Sequence, residues 1–142
     1  MAASKTYLVP LDLSRPSAKA FAQAVKLARE NKAKLLLFHG IAEPGARVPF
    51  QLRDHYYSSL EREARVYFKK LVARHRLSPK NYRVVMRRGN SAAQLICEQA
   101  RKSRVSMIIM GSHGHTGLSR VIMGSVAEET LRCAHCPVLI VK

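Results

Sequence analysis

A short glycine-containing stretch in the last third of the chain has the residue types and spacing of an anion-binding site. Two residues separate Gly111 from Gly114, and nine separate Gly114 from Gly124 and Ser125. Glycines let backbone N–H groups approach a phosphate without interference from a Cβ atom. The apolar run before the stretch predicts a buried strand and the residues after it predict a helix, whose first turn adds unpaired N–H groups and the positive end of a dipole. The stretch therefore predicts a phosphate site.

The start of the predicted helix also carries capping residues. Ser125 is predicted to be its N-cap residue, and Glu128, three residues later, completes a capping box. The glycine spacing fits neither G-x-x-x-x-G-K-[ST] nor G-x-G-x-x-G. The two common phosphate-binding motifs are therefore excluded for this stretch.

The elements that position this stretch alternate along the chain. Short apolar runs predict five strands, at 6–11, 33–38, 82–86, 105–110 and 137–141. Four helices are predicted between them: one capped by Ser14, one from about Leu52 to His75, one over Ala92–Lys102 and one over Ser125–Cys133. This alternation is typical of a parallel sheet with helices on both faces.

Residue spacing further predicts the buried helix faces and the connections. The faces of the first three helices are predicted to consist of Ala18, Phe21, Ala22, Val25 and Ala28, then Leu60, Ala64, Tyr67, Leu71 and Val72, then Leu95, Ile96 and Ala100. Two prolines and a glycine predict a loop over 41–51, long enough to act as a lid or binding element. Gly89-Asn90-Ser91 is predicted to form a turn and a helix cap.

Length and charge limit the classes of function. The 142 residues indicate one domain, residues 1–142, and no apolar run approaches the roughly 20 residues that span a bilayer. There are 25 Lys and Arg residues against 9 Asp and Glu, a net charge of +16, which favours polyanions as partners. The basic residues are densest over 62–88. We interpret them as a solvated helix face, because no aromatic and basic recognition motif accompanies them, with nucleic acid or polyphosphate as the alternative partner.

Cysteines and histidines predict neither a disulfide framework nor a metal site. Three cysteines are an odd number, which argues against a disulfide framework and favours a reducing cytoplasm. Cys133 and Cys136 resemble a C-x-x-C pair but follow a helix, where the dipole disfavours a thiolate, so both are interpreted as structural, and Cys97 is predicted to be buried. His113 and His115 lack further ligands at matching spacing, so they are interpreted as loop residues near the phosphate.

The glycine spacing is similar to the nucleotide-binding signature of the universal stress protein family, Gly-x2-Gly-x9-Gly-[Ser/Thr]. Residues 108–120, 124–128 and 136–141 resemble the strand, loop, helix start and last strand of that family, and residues 8–14 resemble its first strand and acidic tip. The resemblance covers essentially the whole chain. It implies the adenine nucleotide alpha hydrolase-like fold, an open five-stranded parallel sheet of order 3-2-1-4-5 with helices on both faces.

The resemblance also implies a site for ATP with Mg²⁺. In the implied strand order, the winding reverses between strands one and four, so Asp12 and Gly111 face each other across one crevice. The implied site consists of Pro10, Asp12, Gly40, Gly111, His113, Gly114, Gly117, Arg120, Gly124, Ser125 and Val126. The glycines, Ser125 and Val126 would hold the phosphates. Asp12 would accept hydrogen bonds from the ribose or adenine, or would only cap a helix.

In the implied site, Pro10 would line the base and Gly40 would contact adenine through its main chain. Arg120 would neutralise phosphate charge or form a surface salt bridge. The resemblance thus predicts a small cytoplasmic ATP-binding stress-response protein in which nucleotide is a regulatory ligand, with no hydrolytic machinery and at most slow ATP hydrolysis or autophosphorylation. It also implies a homodimer through antiparallel pairing of residues 138–141, an exposed sheet edge.

Overall fold

The computed structural model describes residues 4–113 and 123–142 and contains the predicted alternation of strands and helices. The strands are β1 (Thr6–Pro10), β2 (Lys34–Ala42), β3 (Tyr82–Gly89), β4 (Met107–Gly111) and β5 (Val138–Val141). The helices are α1 (Arg15–Asn31), α2 (Arg53–Arg74), α3 (Ala92–Lys102) and α4 (Ser125–Cys133), and short 3₁₀ turns cover Gly45–Arg47, Phe50–Leu52 and Pro79–Asn81.

The five strands form one parallel sheet in the order β3-β2-β1-β4-β5, which confirms the predicted fold class and strand order. Helices cover both faces of the sheet. Tyr7 and Val9 of β1 pack into one apolar cluster with α1 and α2, while Leu8 packs into a second cluster with α3 and α4. Because successive side chains of a strand point to opposite faces, central strands buried on both faces read as continuous apolar runs.

Two of the predicted helix caps are confirmed. The Ser14 hydroxyl accepts a hydrogen bond from the N–H of Ser17 at 3.3 Å, and Pro16 lies in the first turn of α1. The Ser91 hydroxyl caps α3 in the same way, through the N–H of Gln94 at 3.3 Å. Both α1 and α3 therefore begin where the sequence predicts.

The strands β2 and β3 are longer than predicted. Residues 39–42 of β2 continue to pair with residues 86–89 of β3, so Gly89 belongs to a strand rather than to the predicted turn. The predicted loop over 41–51 is wrong at its first two residues, and two 3₁₀ turns shape its remainder. At the other end of the sheet, β4 begins at Met107 and β5 at Val138, slightly later than predicted.

The predicted helix faces need four corrections. Ala22 of α1 is exposed, and Ala18 of α1 and Leu60 and Tyr67 of α2 are only half-buried. The buried side of α2 instead includes Tyr57 and Phe68. The helical spacing therefore identifies a buried stripe on α2. The side of α2 that faces the sheet is rotated slightly from the side that the apolar residues alone predict.

The cysteine prediction is wrong for one pair. Cys97 and Cys133 form a disulfide with a Cα–Cα distance of 6.1 Å, across 36 residues of sequence. The parallel topology places α3 and α4 side by side on one face of the sheet, and spacing along the chain does not reveal this proximity. Cys97 is buried, as predicted, and Cys136 keeps a free thiol, whose pKa burial raises while a backbone hydrogen bond with Ile108 opposes the shift.

No helix in the described ranges is both long and apolar enough to cross a membrane.

Candidate functional site

A cavity of about 350 Å³ opens at the carboxyl ends of the strands. Every predicted site residue that lies within the described ranges lines it: Pro10, Asp12, Gly40, Gly111, His113, Gly124, Ser125 and Val126. Gly114, Gly117 and Arg120, which complete the predicted set, lie outside the described residues. The fold thus brings together residues from both ends of the chain, as the strand order requires.

The cavity lies where β1 and β4 separate. These two strands pair only at Tyr7 with Met107 and at Leu8 with Ile108, whereas β1 pairs with β2 along its whole length. Residues of a parallel strand direct their N–H groups alternately to the two neighbours. The N–H of Leu11 donates to Phe38 of β2 at 2.8 Å, so the nitrogen of Pro10 faces β4. Because proline has no N–H, the ladder stops there and leaves a gap between the strands.

Asp12 lies at the mouth of this gap and also holds the start of α1. Its carboxylate accepts hydrogen bonds from the N–H of Ser14 at 3.0 Å and from the Ser14 hydroxyl. Burial raises the pKa of Tyr67, the negative charge of Asp12 raises it further, and a hydrogen bond with the Ser17 side chain opposes the shift. Asp12 therefore lines the cavity and also makes the local contacts of the alternative, capping role, while its contact with ribose or adenine stays a prediction.

The second strand contributes Gly40 to the cavity. A Cβ atom added to Gly40 would meet Leu95 and Phe38 at 3.7 Å, an ordinary contact, so packing does not require glycine there. The preceding residue, His39, places its Nδ1 atom 2.6 Å from the carbonyl oxygen of Leu11. Since a carbonyl oxygen only accepts, Nδ1 carries the hydrogen and ties the end of β2 to the segment that leads into Asp12.

Gly111 and Gly124 are glycines for reasons of packing. A Cβ atom on Gly111 would lie 2.9 Å from the carbonyl oxygen of Pro16, and one on Gly124 would lie 3.0 Å from the carbonyl oxygen of Ser112. The N–H of Gly124 already donates to that Ser112 oxygen at 2.7 Å. The backbone donors that α4 directs at the cavity are therefore those of its first turn, where a helix has no carbonyl partners for its own N–H groups.

The predicted N-cap at Ser125 and its capping box are wrong. Gly124 is the N-cap residue of α4, without a side-chain hydrogen bond, and Ser125 is the first helical residue. Glu128 instead pairs with Arg132, its Oε1 atom lying 2.8 Å from a guanidinium nitrogen. Ser125, Val126 and Ala127 form the turn that lines the cavity, so the hydroxyl of Ser125 is not used to cap its own helix.

His113 lines the cavity beside Ser112, with its Nδ1 atom 2.9 Å from the Ser112 hydroxyl. His115, the other histidine of this stretch, lies outside the described residues. Within the described ranges, no three His, Cys, Asp or Glu side chains are grouped as a metal site would require.

The sequence model of the universal stress protein family matches residues 4–142 of this chain. The chain belongs to this family. A relative, universal stress protein MJ0531 of Methanocaldococcus jannaschii, is 31% identical over 140 residues, which cover 97% of this chain and 82% of the relative. The strand order that the family resemblance implies is the order in the structure, β3-β2-β1-β4-β5.

Solved structures match the fold over nearly the whole chain. The structure of protein MJ0577, also from Methanocaldococcus jannaschii, has a TM-score of 0.86 at 25% identity and covers 99% of this chain and 97% of its own. The universal stress protein from Archaeoglobus fulgidus, solved in complex with dAMP, has a TM-score of 0.69 at 19% identity and covers both chains completely.

Several lining residues of this universal stress protein escape prediction from sequence. They are Leu11, Ser17, Phe38, Ala92, Ile96, Met110, Ser112 and Ala127. Most are apolar residues whose spacing indicates only burial. Ser17 faces the cavity because α1 begins directly beside the gap in the sheet. The position of Ser17 one turn into a helix that follows Asp12 is the one signal that points to it.

Proposed function

We propose that this protein binds an adenine nucleotide, ATP with Mg²⁺, in the cavity between β1 and β4 and uses it as a regulatory ligand. The observation that carries the proposal is that eight residues of the site implied by the family resemblance line one cavity at the switch point of a parallel sheet. The cavity volume of about 350 Å³ lies within the range of small-molecule sites. The dAMP complex of a structural neighbour supports the same ligand class.

The lining residues match the two ends of such a ligand. Pro10, Phe38 and Ile96 provide an apolar slot suited to the base, with Asp12 as hydrogen-bond acceptor for ribose or adenine. On the opposite side, Ser125, Val126 and Ala127 of the first turn of α4 line the cavity, and the free N–H groups of a first turn suit phosphate. The phosphates themselves would supply oxygen ligands for Mg²⁺.

A regulatory role fits the lining better than hydrolysis. Asp12 is the one carboxylate among the described lining residues, and Ser14 already donates to it. A hydrolase must position a water molecule and stabilise the charge of the transition state. Slow hydrolysis or autophosphorylation remains the alternative, and turnover that falls in Asp12→Ala would support it.

The nucleotide proposal is tested with purified full-length protein. Mass spectrometry of small molecules released on denaturation should identify an adenine nucleotide. In titration calorimetry with ATP and Mg²⁺, Asp12→Asn should weaken binding by roughly 10–100-fold, because a hydrogen bond to a charged acceptor is lost. Glu43→Gln, an exposed carboxylate outside the cavity, is the matched control. Equal ATP affinities for the wild type, Asp12→Asn and Glu43→Gln would contradict the proposed nucleotide site.

A cytoplasmic location and a homodimer through β5 belong to the same proposal. The strand β5 forms one edge of the sheet, and its four residues are half-buried in the chain as described. An unpaired edge is a template for pairing with a second strand. A second copy of β5, antiparallel across a two-fold axis, would cover the edge.

A second candidate function, nucleic-acid binding, is favoured by a groove beside the opposite edge strand. The groove has a volume of about 740 Å³ and is lined by Arg83, Val85, Arg87, Glu98, Gln99, Lys102 and Ser103. The Arg83 guanidinium donates to the Ser103 hydroxyl at 3.0 Å, and Arg87 pairs with Glu98 at 2.9 Å. These contacts hold both guanidinium groups at the groove, where phosphodiester oxygens would meet them.

Fluorescence anisotropy with a single-stranded oligonucleotide tests this second function. Affinity should fall steeply with salt, and the double change Arg83→Gln with Lys102→Gln should reduce the log–log salt slope for a single strand by about 1.4. Lys19→Gln with Lys26→Gln, on exposed positions of α1 across the sheet, removes the same charge elsewhere. Identical slopes for the two double variants would refute the groove and leave only diffuse attraction to the positive surface.

A further inference from the structure

The disulfide between Cys97 and Cys133 joins the two helices that form one wall of the cavity. Cys97 follows Ile96 in α3, and Ile96 and Ala92 line the cavity. Cys133 ends α4, whose first turn lines the same cavity. The bond thus joins the two helices through residues that do not themselves line the cavity.

The sulfur atoms sit tightly between the two helix backbones. The Cys97 Sγ atom lies 3.7 Å from the carbonyl oxygen of Thr130, and the Cys133 Sγ atom lies 3.6 Å from that of Ala93. Cys97 is 4% exposed, whereas Cys133 is only half-buried. Of the two cysteines, Cys133 is therefore the more accessible to a reagent in solution.

The disulfide also fixes both ends of the segment that carries the phosphate side of the proposed site. The 36-residue span from Cys97 to Cys133 contains β4, Gly111, Gly124 and α4. Closing a loop removes conformational freedom from the segment inside it. A segment held near its bound geometry loses less entropy when a ligand binds, so it binds more tightly.

We propose that Cys133 is a redox modification site, and that its reversible bond to Cys97 raises the affinity of the cavity for adenine nucleotide. The proposal rests on the nucleotide function proposed above. In a cytoplasmic protein, disulfides are typically transient and redox-sensing, which agrees with this role. The reactant class is a small disulfide, and oxidised glutathione, an anion, is attracted by a chain of net charge +16.

The reaction is a pair of thiol–disulfide exchanges. Although its position at the end of α4 disfavours the thiolate, Cys133 is the more exposed of the two cysteines. Its thiolate attacks one sulfur of oxidised glutathione, breaks its S–S bond and releases one glutathione thiolate. The Cys97 thiolate then attacks the Cys133 sulfur, forms the protein disulfide and releases the second glutathione. Two protein thiols are oxidised, one glutathione disulfide is reduced to two thiols, and the protons of the cysteines pass to the released thiolates. A dithiol reductant returns both cysteines to thiols by two further exchanges and is itself oxidised to a disulfide.

Thiol counting and calorimetry on the full-length protein test the proposal separately. After oxidised glutathione and removal of the excess, the denatured protein should show one free thiol, Cys136, and after a dithiol reductant it should show three. Reduction should lower the melting temperature by about 5–15 °C. It should also weaken the binding of ATP with Mg²⁺ by roughly five-fold or more.

Three single variants locate the effect. Cys97→Ser and Cys133→Ser should bind ATP with the same affinity in oxidised and reduced samples, whereas Cys136→Ser should respond as the wild type does. Three thiols in the oxidised wild type, or equal ATP affinity in both states, would overturn the proposal. A response lost in Cys136→Ser would also overturn it. If neither state binds ATP, the nucleotide function fails, while the thiol count and melting temperature still report on the disulfide alone.

Discussion

Gly111 and Gly124 show how a signature residue can be required by the protein rather than by the ligand. Each has a backbone carbonyl oxygen within about 3 Å of the place a Cβ atom would take: 2.9 Å for Gly111 and 3.0 Å for Gly124. At Gly111 a Cβ atom would force the backbone of Pro16 to shift, and at Gly124 the backbone of Ser112 would have to give by a few tenths of an ångström. A loss of binding on substitution at Gly111 would therefore report on the fold before it reported on ligand contacts.

The two serines at helix starts give a sharper comparison. Ser91 caps α3 through its hydroxyl, whereas Ser125 lies inside α4 and makes no cap. We expect Ser91→Ala to lower the free energy of unfolding by about 0.5–2 kcal/mol, and Ser125→Ala to leave it within about 0.5 kcal/mol. Denaturant unfolding without nucleotide measures both. A larger loss in Ser125→Ala than in Ser91→Ala would contradict the helix boundaries described here.

Sequence reasoning predicts the cap at Ser14, since neither Leu13 nor Arg15 is a residue type favoured at the N-cap. It also predicts the cap at Ser91, although Asn90 beside it is equally favoured, and it fails at Gly124. Glycine and serine are both favoured at the N-cap, so Gly124-Ser125 leaves the choice to backbone dihedral angles that no spacing encodes. The eight described site residues were identified because the family resemblance implies them, while Ser17 and Phe38 required the three-dimensional cavity.

At the scale of whole elements, the sequence predicts whether a segment is a helix or a strand better than it predicts where that segment begins and ends. The helix α3 has the predicted bounds, because a serine cap and a basic last turn mark its ends. The strands β2 and β3 run three or more residues beyond their apolar cores, because each supplies hydrogen-bond partners for the other. Such extension depends on a partner distant in sequence, as does the disulfide between α3 and α4, so neither follows from local pattern.

The edge strand β5 provides a test of the proposed homodimer. The carbonyl oxygens of Pro137 and Val141 accept from β4, so by alternation the N–H groups of Val138 and Ile140 face away from the sheet. If β5 pairs with a second copy, amide exchange at Val138 and Ile140 should slow as protein concentration rises. Exchange at Leu139, whose N–H faces β4, is the internal control. Equal concentration dependence at all three amides, or none, would contradict pairing through this edge.

At the scale of the whole molecule, the charge balance is the dominant electrostatic feature. The chain has 25 Lys and Arg residues against 9 Asp and Glu. In the described ranges, three ion pairs join Arg87, Arg88 and Arg132 to glutamates, all at the surface. Exposed pairs contribute little to stability, so repulsion among the remaining positive charges outweighs them.

Salt should therefore stabilise this protein. We expect the melting temperature to rise between about 20 mM and about 500 mM sodium chloride, because a shorter Debye length weakens repulsion among the positive charges more than it weakens three exposed pairs. Thermal scans followed by circular dichroism measure this directly. Chloride is used rather than sulfate, which stabilises proteins through exclusion from their surface. A melting temperature that falls with chloride would show that the ion pairs dominate.

The short contact between β1 and β4 makes the sheet two ribbons, β3-β2-β1 and β4-β5, joined by the pairs at Tyr7 and Leu8. A ligand bound in this gap would contact the carboxyl ends of strands from both ribbons. Its contacts would replace the β1–β4 hydrogen bonds that Pro10, which has no N–H, does not make. Ligand binding would then strengthen the contact between the two ribbons at the centre of the sheet. The bound protein would differ from the unbound protein in stiffness more than in shape.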